Sequence, residues 1–457
     1  MGTLSVKHKA FLSQFSTVII ATLNAVSDGM NYGWSSPMLP RLEKDDSPVK
    51  VTETDEPWLE SILLFAGLVG LPITTYLVDK IGRKQSTLAA ACTCVVGWTL
   101  IAIADNIFYL YIARFMMGIA ADMAFISSPM YIAEISHKSI RGYLSAIIYV
   151  MSYIGTVLIY TIGPYVDFTV PSVVAIVFLV TQIIVLPFMP DSPYFLIKKG
   201  KTESARISLK RLRATEDVDE ELNEILTFIE LEKRKEKGKI SDLFTEPSVR
   251  RAIIIMTVLN GGQHLAGYTA IGMNVNAILS FAKYKYFEDE TATIIFGSLM
   301  LVGSVVATLL VDKFGRKTLL IISTVLTGAA LTTIGIFFFL QDDHDLTSVS
   351  WILVVALMSY AITFKLGLGV VPIVLTAELF PVRVKAYGMA CADGVYVLFG
   401  SLSVWIYDIL RKDAGGMFMP FFFFAGCCFI VCIFVSFFIP ETKGKSLEEV
   451  QNILKAK

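Results

Sequence analysis

Charge is scarce in this chain. Asp, Glu, Lys and Arg make up 17% of its 457 residues, against 54% hydrophobic residues. A soluble domain carries about 25% charged residues, so a water-soluble globular fold is a poor match. Histidine is scarcer still, at 4 residues. The sequence offers no Ser/His/Asp grouping and no metal cluster, so it supports neither nucleophilic catalysis nor a metal centre. It is not expected to be an enzyme or to carry a cofactor. A G-x-x-x-x-G-K-[ST] loop is absent, which excludes the ATP-binding loop of a P-loop pump. No basic stripe with interleaved aromatics occurs, so nucleic acid is not an expected partner. There is no N-x-[ST] acceptor. The six cysteines, Cys92, Cys94, Cys391, Cys427, Cys428 and Cys432, all lie inside apolar runs and read as reduced packing residues. Lys7 and Lys9 precede an apolar run without a small-residue cleavage site. That run reads as a first membrane helix rather than a cleaved leader.

What the chain does have is apolar runs of membrane-spanning length. Twelve are expected, at about 13–36, 58–79, 87–105, 107–132, 142–163, 169–189, 251–281, 291–312, 318–340, 349–377, 386–410 and 416–439. The fold class is an all-α membrane protein with the lipid bilayer as its solvent. One long polar stretch, Asp191 to Arg250, separates the sixth run from the seventh. Lys80, Arg83, Lys84, Lys138, Arg141, Lys313, Arg316, Lys317, Arg383 and Lys385 fall in loops on one side, and the opposite loops are mixed or acidic. The positive-inside rule then places both termini and the middle stretch in the cytoplasm. Within that stretch Val218, Leu222, Ile225 and Ile229 recur at helical spacing, which predicts an amphipathic surface helix. Thr202 is a candidate cap for an earlier helix starting near Glu203. The stretch is either a solvated connector or a cytoplasmic latch.

The sequence also repeats itself. Val78-Asp79-Lys80-Ile81-Gly82-Arg83-Lys84 returns as Val311-Asp312-Lys313-Phe314-Gly315-Arg316-Lys317. Ala133-Glu134-Ile135 returns as Ala377-Glu378-Leu379, with Arg141 and Lys385 each seven residues after the Glu. Pro190-Asp191-Ser192 returns as Pro440-Glu441-Thr442. Three motifs in one order define two halves. The expected organisation is a six-helix half at 1–190, a helical linker at 191–250, a second six-helix half at 251–440 and a tail at 441–457. Charged residues at helix ends can pair across neighbouring helices. Asp79, Arg83, Glu134, Arg141, Asp312, Arg316, Glu378 and Lys385 are therefore candidate gate residues. Loop charge that only fixes topology is the plainer reading, but it does not require acids to recur in register.

These motifs resemble the sugar-porter family of the major facilitator superfamily over essentially the whole chain. The resemblance rests on the Gly-Arg-Lys loops and on Arg114-Phe115-Met116-Met117-Gly118. It extends to Pro129-Met130-Tyr131-Ile132-Ala133-Glu134, Asp191-Ser192-Pro193, Gln263-His264-Leu265-Ala266-Gly267 and Pro440-Glu441-Thr442-Lys443-Gly444. The Gly33-Trp34-Ser35-Ser36-Pro37 stretch is similar to the insect branch of facilitated trehalose and hexose transporters. The family implies a plasma-membrane protein with a midplane cavity that binds sugar through amide, hydroxyl and aromatic groups. Carried over position by position, the candidate solute-binding residues are Gln263, His264, Thr269, Asn274, Tyr149 and Tyr396. Several depart from the family pattern. His264 stands for a Gln, Ala266 for a Ser, Thr269 for an Asn, Met273 and Asn274 for a tyrosine pair, and Tyr194 for an Arg. The scaffold motifs persist while the sugar-reading residues change.

Ionisable residues inside a membrane are costly and are functional candidates. Asp28, Arg114 and Asp122 are candidates for ion coupling, with a structural Asp28–Arg114 ion pair as the alternative. Lys365 and Asp393 either face the cavity or pair structurally. The resemblance implies facilitated uniport of a sugar, trehalose or a hexose. Proton-coupled symport of a sugar or another small polar solute, and a non-transporting nutrient sensor, are the alternatives.

Overall fold

In lipid, backbone N–H and C=O groups must be satisfied within their own segment, so long apolar runs fold as helices. The computed structural model describes residues 6–43, 47–137, 139–234, 241–282, 288–381, 384–413, 416–443, 445 and 447–456. Among these residues the regular elements are all helical. Helices α1 (Val6–Ala21) and α2 (Leu23–Gly33) form the first span, and α3 (Ser35–Leu42) continues it. Helices α4 (Glu56–Ile81), α5 (Arg83–Ala102), α6 (Ile107–Ile135), α7 (Arg141–Ile162) and α8 (Val170–Val185) are the next five spans. The polar stretch holds α9 (Pro193–Lys198), α10 (Thr202–Arg213), α11 (Asp219–Arg234) and α12 (Asp242–Thr245). Helices α13 (Pro247–Leu265) and α14 (Tyr268–Phe281) make the seventh span. Then come α15 (Asp289–Phe314), α16 (Arg316–Gln341), α17 (Trp351–Leu366) with α18 (Val371–Leu379), α19 (Lys385–Asp413) and α20 (Phe418–Phe438). Helix α21 (Leu447–Ala456) is the last.

Eleven helices among the described residues are long and apolar enough to cross a membrane. The seventh expected span is absent from that set: it is split into α13 and α14, and α13 carries Asn260, Gln263 and His264 among its apolar residues. Gly267 between α13 and α14 has φ 83°, in the left-handed region that glycine tolerates and other residues avoid. The tenth span bends too. Helix α17 stops before Gly367-Leu368-Gly369, and α18 restarts with Pro372 at its N-terminus. Apolar side chains such as Phe437 and Leu309, each 72% exposed, point outward from the spans. In a membrane protein that surface faces lipid.

The chain forms two compact units. The first comprises Met1–Asn31, Val69–Gly155 and Asp167–Glu236. Val18, Ala21, Tyr131, Ile132, Ile135 and Leu144 form its core where α1, α6 and α7 meet. The expected amphipathic helix is α11. Its Leu222, Ile225 and Ile229, with Val218 just before it, are buried against Ile197, Ala205 and Leu209 of α9 and α10. This small bundle is tied to the spans. Arg213 donates to the Ile135 carbonyl at 2.9 Å, and Gln14 donates to the Leu212 carbonyl at 3.2 Å. Thr202 is the first residue inside α10, not its cap. The cap position is Lys201, which offers no side-chain acceptor.

The second unit comprises Tyr32–Leu68, Thr156–Val166 and Lys237–Lys457. Its short inserted pieces pack on helices of the C-terminal half. Tyr160 donates to the Gly272 carbonyl at 2.6 Å, and Ser401 donates to the Ser61 carbonyl at 3.0 Å. Helix α21 buries Val450 and Leu454, and Arg251 caps its end through the Leu454 carbonyl at 2.5 Å. The six cysteines are free, and Cys92 is exposed rather than packed inside.

Leu222 anchors the α9–α11 bundle. Leu222→Ala should remove about 2–4 kcal/mol of packing from it. Limited proteolysis should then cut within 199–234 faster than in the wild type, while the spans stay protected. An unchanged cleavage rate would mean that the cluster does not hold the segment.

Candidate solute site and charged clusters

The repeated motifs build the same cluster twice, once in each unit. In the first unit, Gly82 turns α4 into α5 at φ 97°. Arg83 Nε then meets Glu134 Oε1 at 2.9 Å, and the Ser192 hydroxyl donates to Glu134 Oε2. Asp79 adds a longer pair to Arg83 at 3.6 Å. Lys84 donates to the Pro187 and Met189 carbonyls at 3.1 and 2.9 Å and lies 3.3 Å from Asp191. In the second unit, Gly315 turns α15 into α16 at φ 89°. Arg316 Nη2 meets Glu378 Oε1 at 2.8 Å, and the Thr442 hydroxyl donates to Glu378 Oε2 at 2.6 Å. Lys317 donates to the Ser436 carbonyl at 2.7 Å. Each glutamate is thus shared between a guanidinium and a hydroxyl that follows the last span of its half. The arginines are buried, so losing the glutamate would strand a charge.

Two candidate gate residues stand outside these clusters. Arg141 and Lys385 make no ion pair among the described residues, and Arg141 Nε is buried without a hydrogen-bond partner. The side chain of Asp312 lies outside the described residues. Glu441 adds a contact that the sequence did not announce. Burial pushes its carboxyl up, but backbone N–H groups of Lys443, Arg316, Lys317 and Thr442 outweigh that and hold it below the ordinary carboxylate value. The bonds from Arg316 and Lys317 are 3.0 Å each, at the N-terminus of α16.

Five of the six candidate solute residues gather in the second unit, at the break of the seventh span. Gln263 donates to the Leu368 carbonyl at 2.6 Å, within the bend of the tenth span. His264 Nδ1 lies 2.7 Å from the Thr269 hydroxyl, which also accepts from Tyr32 at 3.0 Å. The His264 ring meets Tyr396 edge-on, with centroids 4.2 Å apart. Asn274 donates to both oxygens of Glu60 at 3.1 Å each. Lys365 lies over the ring of Tyr268 at 4.1 Å, a cation held on an aromatic face. Tyr149, the sixth candidate, is half-buried in the first unit.

Glu60, Tyr32 and Arg411 escaped the sequence reading. Glu60 is buried only two residues inside the expected second span, a position easily taken for an interfacial charge. Arg411 pairs with Glu56 at 3.3 Å and with Asp408 at 3.2 Å. Beside them Trp58 and Trp405 pack edge to face at 5.0 Å. These contacts join α4 to α19. A cavity of about 70 Å³ lies among Ser36, Glu43, Glu56, Asn274 and Arg411.

The first unit holds the candidate coupling residues. The expected Asp28–Arg114 ion pair does not form. Arg114 donates to the Asn31 backbone carbonyl and, at 2.6 Å, to Asn31 Oδ1. Asn31 lies one turn beyond Asp28 and takes the guanidinium. Asp28 instead accepts a weak bond from the Cys94 thiol at 3.9 Å, and its Oδ2 has no hydrogen-bond partner among the described residues. Asp122 accepts from Thr74 at 2.8 Å and lies against Gly70, tying α6 to α4.

Residues 11–454 match the family described as sugar (and other) transporter. The chain is 29% identical to the sugar transporter ERD6 of Arabidopsis thaliana, over 99% of this chain and 89% of that one. It is 29% identical to the facilitated trehalose transporter Tret1 of Polypedilum vanderplanki, over 96% and 87% of the two chains. Among solved structures it is similar to the inward open conformation of the xylose transporter XylE from E. coli. That match has a TM-score of 0.79 and 22% identity, over 96% of this chain and 99% of the other. A likeness at that identity speaks for the fold.

The Glu441 anchor has a pH signature. Its carboxyl sits below the ordinary value, so its contribution is fully present above the unfolded value, about 4.3. It is lost as pH falls through the lowered one. Glu441→Gln should therefore lower the melting temperature of the purified protein by a few degrees at pH 7. The gap should close as pH falls below about 4. A gap that is constant with pH would rule out the charged anchor.

Proposed function

This chain belongs to the sugar (and other) transporter family, and from that premise we propose facilitated uniport of a sugar, trehalose or a hexose, by alternating access. It is a multi-pass membrane transporter, not an enzyme. The observation that carries the reading is the polar cluster at the broken seventh span. Gln263, His264, Thr269, Asn274 and Tyr396 bring amide, imidazole and hydroxyl groups into an otherwise apolar bundle. Hydroxyl-rich solutes need such groups, because an unpaired polar atom in a dry site is costly. The glycine break supplies a segment, α14, free to move relative to α13.

We take 1–190 and 251–440 as the two halves that rock, 191–250 as a cytoplasmic linker and 441–457 as a cytoplasmic tail. The basic Gly-Arg-Lys loops support cytoplasmic termini, and the plasma membrane is the proposed location. Uniport is favoured over proton coupling by one contact. Arg114 is held by Asn31 rather than by Asp28, so protonation of Asp28 has no guanidinium to release. Trehalose rests on the named relatives.

Radiolabelled uptake into proteoliposomes should show saturable entry of glucose, fructose or trehalose, equal at pH 5.5 and 7.5 and insensitive to a protonophore. Protonophore-sensitive uptake that Asp28→Asn abolishes would replace uniport with symport. A protein that passes neither sugars nor polyols, even in counterflow, would be a sensor.

A further inference from the structure

At the break in the seventh span the His264 ring nitrogen Nε2 has no hydrogen-bond partner among the described residues, and its neighbours fix its chemistry. The Thr269 hydroxyl has one proton to give and two lone pairs to receive. It is fully buried, accepts from Tyr32 and lies 2.7 Å from His264 Nδ1. Among the described residues these are its hydrogen bonds. Suppose that His264 carried a proton on Nδ1, as the other tautomer or as imidazolium. Thr269 would then accept from both sides, and its own proton would be buried with no acceptor, which is costly. With the proton on Nε2 the relay closes. Tyr32 donates to Thr269, and Thr269 donates to Nδ1. The group left over is the Nε2–H, which has no hydrogen-bond partner among the described residues, on a side chain with no exposed surface.

We propose that Tyr32 and Thr269 are positioning residues that lock His264 as a hydrogen-bond donor to the solute. This rests on His264 being a solute contact. A site so built selects a polyhydroxylated solute presenting an acceptor oxygen, a hydroxyl or an ether, at that point. A primary amide in the same place could turn either its C=O or its NH2 to the solute; the locked imidazole can only donate. The ring has little freedom to turn. Tyr396 packs edge-on against it, and a methyl group on Gly400 would meet its Cε1 at 3.2 Å. Thr269 is spent on the relay, so its role is to orient His264 rather than to touch the solute. Tyr32 belongs to α2 and Thr269 to α14. The relay is therefore complete only while those two segments are packed, and it comes apart when α14 moves.

Two measurements test this on the full chain. The first is nitrogen NMR of histidine-labelled protein in lipid nanodiscs. The four histidines make assignment direct, because the His264 signals are those that vanish in His264→Gln. The Nε2–H tautomer is expected in the wild type, with a mixture of tautomers in Thr269→Val and a weaker bias in Tyr32→Phe. An Nδ1–H tautomer or an imidazolium in the wild type would overturn the relay. The second is uptake of whichever tested sugar the wild type carries. His264→Gln can place an N–H near the Nε2 position, and His264→Asn places one near Nδ1. The Gln variant should keep a KM about tenfold lower than the Asn variant at equal protein abundance. The expected tautomer with indistinguishable variants would keep the relay but overturn His264 as a solute contact. Thr269→Val should raise KM more than it lowers the maximal rate. A Thr269→Val protein that transports like the wild type would also overturn the positioning role.

Discussion

A polar group inside a lipid-facing bundle has only the rest of the protein to bond with. That constraint orders the whole molecule. It keeps the spans helical, and it makes each departure from helix a place where polar side chains converge. The seventh span departs at Gly267, and Gln263, His264 and Thr269 cluster around the gap. The tenth departs at Gly367–Gly369, and its freed Leu368 carbonyl is taken by Gln263. Its Leu368 N–H is taken by Ser323 at 2.9 Å. The two breaks satisfy each other, which is why both can persist in the middle of a membrane protein.

The same constraint explains the charged ends. A guanidinium at the end of a span is acceptable when a carboxylate pairs with it and a loop hydroxyl satisfies the carboxylate's other oxygen. Arg83–Glu134–Ser192 and Arg316–Glu378–Thr442 meet that condition in closely similar ways. Arg141 and Lys385 do not join them, so the candidate gate residues fall into two groups. One group forms the ion pairs within each unit, and the other makes none among the described residues.

Much of this could be read from the residues. The twelve apolar runs, the duplicated loops and the stripe of Val218, Leu222, Ile225 and Ile229 follow from periodicity and repetition. Register inside the spans was less legible. Asp28 and Arg114 were matched as a pair, yet Arg114 reaches Asn31. The first span is interrupted at Thr22, where the hydroxyl turns back to the Val18 carbonyl at 2.8 Å. A sequence pattern cannot say how such an interruption re-aims the residues beyond it. Tyr32 and Glu60 were missed for a related reason. Their importance comes from partners more than 200 positions away, Thr269 and Asn274, and nothing local marks them.

The shared glutamates have a consequence for how the protein is made. Glu134 meets its hydroxyl partner 58 positions downstream, and Glu378 meets its partner 64 positions downstream. In each case the partner lies just past the sixth span of its half. A chain still emerging from the ribosome can insert four or five spans of a half with the arginine and glutamate in hand but the glutamate's second oxygen still without its hydroxyl. The knot is tied only when the sixth has been delivered. Each half thus carries a mark of its own completion, placed where the next segment begins.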